Sequence, residues 1–119
     1  MPSNPPLAYV AGPYRAATPL GVTVNVNRAR QVGVLVAERG WHPIVPHNLS
    51  TGLEHVGDDD FWLALTLNVM EKCDVVVVAP NWQASDGTRA EIARAEELGL
   101  PVYFDVGELP AQPAALEVE

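Results

Sequence analysis

The chain has 119 residues, 48 % of them hydrophobic, a net charge of −8 and one cysteine. That length supports one domain with a single core, and that apolar fraction excludes a disordered chain. No Lys/Arg run exists to meet a nucleic-acid backbone, Cys73 has no disulfide partner, and no stretch approaches the ~20 apolar residues of a membrane span. Met1-Pro2-Ser3-Asn4-Pro5-Pro6 lacks the basic and apolar regions of a signal peptide, so a cytoplasmic protein with no membrane or nucleic-acid partner is expected. An anionic small molecule stays within reach if a few Arg and amide donors converge.

Leu7-Ala8-Tyr9-Val10-Ala11 reads as the first strand, and Gly12-Pro13-Tyr14-Arg15 follows at once. Gly12 lets the backbone turn tightly and lets a ligand approach it. Arg15 stands at the C-terminal sheet edge if the strands are parallel; its plainer role is an exposed loop charge. The loop runs on through Thr18-Pro19-Leu20-Gly21, and ordered loops of that length tend to be functional. A helix is predicted from Val24 to Arg39, with Val22, Val26, Ala29, Gly33, Val36 and Ala37 at helical spacing and Gly40 ending it. Trp41-His42-Pro43-Ile44-Val45 reads as a short second strand, irregular or near an edge because of Pro43. Pro46 to Asp58 is a second long loop holding His47, Asn48 and His55. Its spacing matches no zinc pattern, so substrate contact or solvent exposure is expected there rather than a metal. The next helix runs from Asp58-Asp59-Asp60, whose charges suit a helix N-terminus, to about Lys72. Its buried face is expected to hold Trp62, Leu65, Thr66, Val69, Met70 and Cys73, with Cys73 as inert packing. The Thr66 hydroxyl is expected to bond the carbonyl four residues back.

Asp74-Val75-Val76-Val77-Val78-Ala79 has no polar alternation, as in a strand buried on both faces of a parallel sheet. Pro80-Asn81-Trp82-Gln83-Ala84 follows, where Trp82 either stacks on a base or covers the sheet edge. Ser85-Asp86-Gly87-Thr88-Arg89-Ala90-Glu91 then opens a helix predicted from Gly87 to Leu98 and ended by Gly99. At about 100° per residue, Thr88, Ile92, Ala95, Leu98 and Gly99 share one apolar arc. Glu91 is the only charged residue inside that arc; Arg89, Arg94, Glu96 and Glu97 lie outside it. A carboxylate held on apolar surface at the ligand-binding edge of an open sheet is a candidate for perturbed pKa and chemistry. The alternative is a capping box, Glu91 reaching back to the Thr88 amide, which disappears if the helix starts at Ser85 or Asp86. Pro101-Val102-Tyr103-Phe104 is the fourth strand, closing a domain over residues 1–104. Residues 105–119 form an acidic, Pro-rich tail with one apolar cluster, Ala114-Ala115-Leu116, read as a loose tail or an arm on a neighbouring subunit. The alternation of strands and helices predicts a doubly wound α/β fold, a parallel sheet of four to five strands in flavodoxin-like, Rossmann-like order 2-1-3-4.

Tyr9-Val10-Ala11-Gly12-Pro13-Tyr14-Arg15, Cys73-Asp74-Val75-Val76-Val77-Val78 and Ser85-Asp86-Gly87-Thr88-Arg89-Ala90-Glu91 resemble the first strand, third strand and catalytic loop of the nucleoside 2-deoxyribosyltransferase-like superfamily. Ala95 and Gly99-Leu100-Pro101-Val102 extend the likeness, which spans Tyr9 to Phe104 and is nearest to small phage and bacterial members. The resemblance implies cleavage or transfer of an N-glycosidic bond on a nucleoside or nucleoside 5′-monophosphate. Glu91 would be the nucleophile at C1′. Ser85 and Arg15 match phosphate-binding residues of the 2′-deoxynucleoside 5′-monophosphate N-glycosidases. Gly12, Gly87 and His47 would join them in holding substrate, with Tyr14 and Trp82 flanking the base. No cofactor is implied, and a homodimer or higher homo-oligomer is. Thr66 departs from the pattern, since family members usually carry Asp there; Asp86, or one of Asp58, Asp59 and Asp60, would have to substitute. Thr66 is the feature that favours a non-catalytic nucleotide-binding module. Gly87-Thr88-Arg89-Ala90-Glu91 also matches the Gly-Thr-x-x-Glu signature of the cytokinin-activating type of nucleotide phosphoribohydrolase, without its preceding Pro-Gly-Gly. A purely structural phage accessory domain is the remaining alternative.

Overall fold

The computed structural model describes residues 4–49 and 52–112. Among these, four strands form one parallel sheet: β1 (Leu7–Ala11), β2 (His42–Ile44), β3 (Val75–Val78) and β4 (Val102–Tyr103), in the order β2-β1-β3-β4. Three α-helices connect them: α1 (Pro19–Glu38), α2 (Asp59–Met70) and α3 (Asp86–Glu97). This is the predicted doubly wound α/β sheet in the predicted order. The central strands explain it. Every residue of β3 is buried, as is all of β1 after Leu7, and such strands are stable only with helices on both faces.

Alternate residues of β1 and β3 supply the two halves of the core. Ala8, Val10, Val75 and Val77 face α1 through Ala29, Val32 and Val36. Tyr9, Ala11, Val76 and Val78 face the other side, where Met70 and Cys73 of the α2 end and Ile92 and Ala95 of α3 pack. The register places Tyr9 opposite Ile44 and Val76, in the middle of the sheet.

Several boundaries and one buried face differ from expectation. Helix α1 begins at Pro19, five residues before the predicted Val24: the Thr18 hydroxyl caps it by accepting from the Gly21 amide at 3.0 Å, and Pro19 takes the first turn, where a missing N–H costs nothing. The long loop after β1 is therefore shorter than expected. Strand β2 keeps its edge position but excludes Trp41, whose buried indole donates to the Pro110 carbonyl at 2.7 Å. Residues 105–112 are packed rather than loose. Leu109 is 1 % exposed in the α1-side core, Arg39 donates to its carbonyl at 2.9 Å, and the Gln112 amide donates to the Arg39 carbonyl at 2.8 Å. Ala114-Ala115-Leu116 lies outside the described residues. Finally, α2 buries Met70 fully and Trp62, Leu65 and Val69 only by half, with Phe61 54 % exposed. Its first half stands away from the sheet, which a helical wheel does not register.

Candidate functional site

Glu91 occupies the second turn of α3, on the buried face with Thr88, Ile92 and Ala95, and is 7 % exposed. Its carboxylate accepts a short hydrogen bond from the phenol of Tyr9, which is fully buried. Burial pushes the Glu91 pKa up to about 7, against the opposing pull of the Tyr9 hydrogen bond. Burial, and then the adjacent Glu91 charge, push the Tyr9 phenol upward, so it remains a protonated donor. The side chain of Thr66 reaches the same phenol and favours its ionised form. The Thr66 hydroxyl itself donates to the Leu63 carbonyl at 2.8 Å, three residues back rather than the expected four. Cys73 packs in the same core cluster as Tyr9: its thiol points at the Val69 carbonyl, and burial with the nearby Asp74 charge raises its pKa to about 11. It is a packing residue, with no thiolate to offer at neutral pH.

The start of α3 decides between the two readings of Glu91. Ser85 is the N-cap; its Oγ accepts from the Thr88 amide at 3.2 Å and from the Thr88 hydroxyl at 2.8 Å. With that amide taken, no Thr88–Glu91 capping box forms, and Glu91 is left to Tyr9. The helix accordingly starts at Asp86, one residue before the predicted Gly87. The cap occupies both accepting positions of Ser85, so a substrate would meet only its hydroxyl proton. Asp86 is a correction. It pairs with Arg89, its side chain is 94 % exposed, and it lies about 140° round the helix from Glu91. It supplies no acid to the carboxylate. Gly87 is exposed with open space where a Cβ would stand, so nothing there requires glycine.

The loop after β1 gathers Gly12, Tyr14 and His47. Gly12 is buried, and a Cβ on it would lie 2.8 Å from the Ala79 Cβ. Glycine lets the ends of β1 and β3 close, where the Ala79 amide donates to the Ala11 carbonyl at 2.7 Å. His47 is buried with Nε2 2.8 Å from the Pro13 carbonyl. Burial pushes its pKa down, so the imidazole is neutral with its proton on Nε2, donating to that carbonyl. Tyr14, 40 % exposed, meets His47 edge-on at 5.7 Å. Asn25 of α1 donates to the Tyr14 and Arg15 carbonyls at 3.2 Å and holds this loop in place. The Arg15 guanidinium is engaged with Asp59 at the first turn of α2, both side chains about 70 % exposed, whereas Ser85 caps α3. Trp82 packs against Phe104 at 5.3 Å over the ends of β3 and β4 and borders a cavity of about 510 Å³ that Arg28 and Gln31 of α1 also line.

Tyr9 is the site residue the sequence reading passed over. The signal was present: a tyrosine inside an otherwise apolar strand needs a partner for its hydroxyl, and Glu91 was the one carboxylate on an apolar face. His55 is exposed, and among the described residues no three His, Cys, Asp or Glu side chains converge on one point. A family profile described as a domain of unknown function, DUF7768, matches residues 6–105. No curated protein matches the chain.

Proposed function

The chain belongs to the DUF7768 family, and we propose that it cleaves or transfers an N-glycosidic bond of a nucleoside or nucleoside 5′-monophosphate, with Glu91 as nucleophile. The observation that carries this reading is the Tyr9–Glu91 pair: one carboxyl group, buried in an apolar face, aimed by a phenol that stays protonated. A group with a pKa of about 7 presents a useful fraction of carboxylate at neutral pH. The carboxylate attacks C1′ of the sugar, the base departs with the bonding electrons, and water or an acceptor then attacks the same carbon and releases Glu91. The reaction draws on side chains alone and needs no cofactor. Incubating the chain with a panel of nucleosides and nucleotides and following free base by chromatography tests the reading. Base release is expected, falling by at least about a thousandfold in Glu91→Gln, as for loss of an essential nucleophile; undiminished release in that variant would remove Glu91 from the mechanism.

A second reading keeps the binding and drops the turnover. The 7 % exposure of Glu91 and the neutral Thr66 beside Tyr9 favour it. Thermal stabilisation by nucleoside monophosphates with no base release over long incubation would select it; the phosphoribohydrolase alternative would show as a preference for ribonucleotides. We also propose a homo-oligomer in the cytoplasm. The half-covered α2, with Phe61, Leu53 and Val56 exposed nearby in sequence, supports self-association, which a monomer in light scattering would contradict. No helix among the described residues is long and apolar enough to cross a membrane.

A further inference from the structure

Burial raises the Glu91 carboxyl and the Tyr9 phenol opposes it, and among the described residues no cationic side chain pairs with it. Both arginines of α3 turn outward, Arg89 to Asp86 and Arg94 to Glu71 and Glu97, and Arg15 is held by Asp59. A carboxylate in this position is a buried negative charge without its counter-charge, which is costly until a cation arrives. The second feature is the fate of the nearby protons. The Tyr9 phenol proton goes to Glu91, the Thr66 proton to the Leu63 carbonyl and the Cys73 proton to the Val69 carbonyl. The Nε2 proton of His47 goes to the Pro13 carbonyl, the Asp58 carboxylate caps the Phe61 amide, and Asp86 lies in solvent. The donors left over among these groups are the Ser85 and Tyr14 hydroxyls and the buried, unpartnered Trp62 indole, and none of them is a carboxylic acid or an imidazolium.

From this geometry we infer that the substrate is an N-glycoside whose base already carries a positive charge, a pyridinium nucleoside in the first place. The inference rests on the glycosyl-transfer reading and narrows its substrate class. The ring cation supplies the missing counter-charge and favours the ionised, nucleophilic form of Glu91 as it binds. The step needs no acid. A Glu91 carboxylate oxygen bonds to C1′, the C1′–N bond breaks, and its electron pair stays on the ring nitrogen, which leaves as a neutral pyridine. Water then adds to C1′, Glu91 departs as carboxylate, and one proton passes to solvent. A neutral-base nucleoside would instead have to expel an anion, forfeiting the factor of about 10² to 10⁴ that a general acid ordinarily supplies. The acidic chain, with its net charge of −8, also attracts cations over phosphates.

The experiment compares nicotinamide riboside with deoxyadenosine, deoxyguanosine and thymidine on the full chain, with free base read by chromatography. Nicotinamide release at least about a hundredfold faster than release of any neutral base, and lost in Glu91→Gln, is expected from the missing general acid. The variant Thr66→Asp places a carboxyl group beside the Tyr9 phenol and is expected to raise neutral-base release at least tenfold relative to nicotinamide release in the same variant. Neutral bases released as fast as nicotinamide in a Glu91-dependent way would overturn the inference and leave the glycosidase reading standing. Release of no base from nicotinamide riboside would overturn the inference, and release of none from the nucleoside 5′-monophosphates as well would sink the glycosidase reading.

Discussion

Glu91 makes the protein less stable than it would be without a buried acid, and the sign follows from the direction of its shift. The unfolded chain releases the proton near the ordinary value of 4.5, while the folded chain holds it until about pH 7. Between those values the native state binds more protons than the unfolded one, so stability falls as pH rises through this window and is level above it. At about 1.4 kcal/mol per pKa unit, the cost is about 3 kcal/mol above neutrality. Glu91→Gln keeps an acceptor for Tyr9 and removes the titration. Thermal melting across pH is expected to show the variant more stable than wild type by up to about 3 kcal/mol above pH 7, with the two converging below pH 4.5. Equal curves at all pH values would mean that the carboxyl is not desolvated. A gain in stability with a loss of turnover is the pattern of a residue kept for chemistry.

At the scale of elements, α3 is set by Ser85 and β1 by its neighbours. Ser85 satisfies the Thr88 amide and leaves Glu91 free to face the sheet, so the cap and the site are coupled through one hydrogen bond. Ser85→Ala is expected to lower stability by about 1 kcal/mol in chemical denaturation, as for loss of an N-cap, with Ser85→Asp restoring most of it. A variant with wild-type stability and a large rise in the Michaelis constant for nucleoside monophosphates would return Ser85 to the phosphate-binding role. Much of this arrangement was legible in advance. The uninterrupted run from Val75 to Ala79 identifies a central parallel strand, and the wheel over α3 isolates Glu91, because burial on a regular element leaves a periodic trace. The early start of α1 was missed because Thr18-Pro19 reads equally as loop and as cap. Tyr9 was missed because its importance lies in a contact across 82 residues, and long-range pairing leaves no period.

For the whole molecule, residues 105–112 complete the α1-side core, which the acidic, Pro-rich composition of the segment concealed. A single leucine has no periodicity, yet Leu109 is among the largest fully buried side chains. Leu109→Ala is expected to cost about 2 to 5 kcal/mol, the range for emptying a buried leucine site. Removing residues 105–112 would cost more, by exposing Trp41 and orphaning the Arg39 side-chain bond to the Leu109 carbonyl. Denaturation midpoints of the full and shortened chains check this; coincident curves would mean that the segment merely lies on the surface. The same segment borders the cavity beside Trp82 and Arg28, on the α1 side, so the molecule carries open space at the sheet edge in addition to the closed Tyr9–Glu91 pair.

The most direct measurement is mass spectrometry of the intact chain quenched during incubation with a nucleoside, followed by peptide mapping. A sugar attached to the peptide that contains Glu91, absent from Glu91→Gln, is the predicted result. Free base released with no sugar on that peptide, at the same rate in the Glu91→Gln chain, would contradict it.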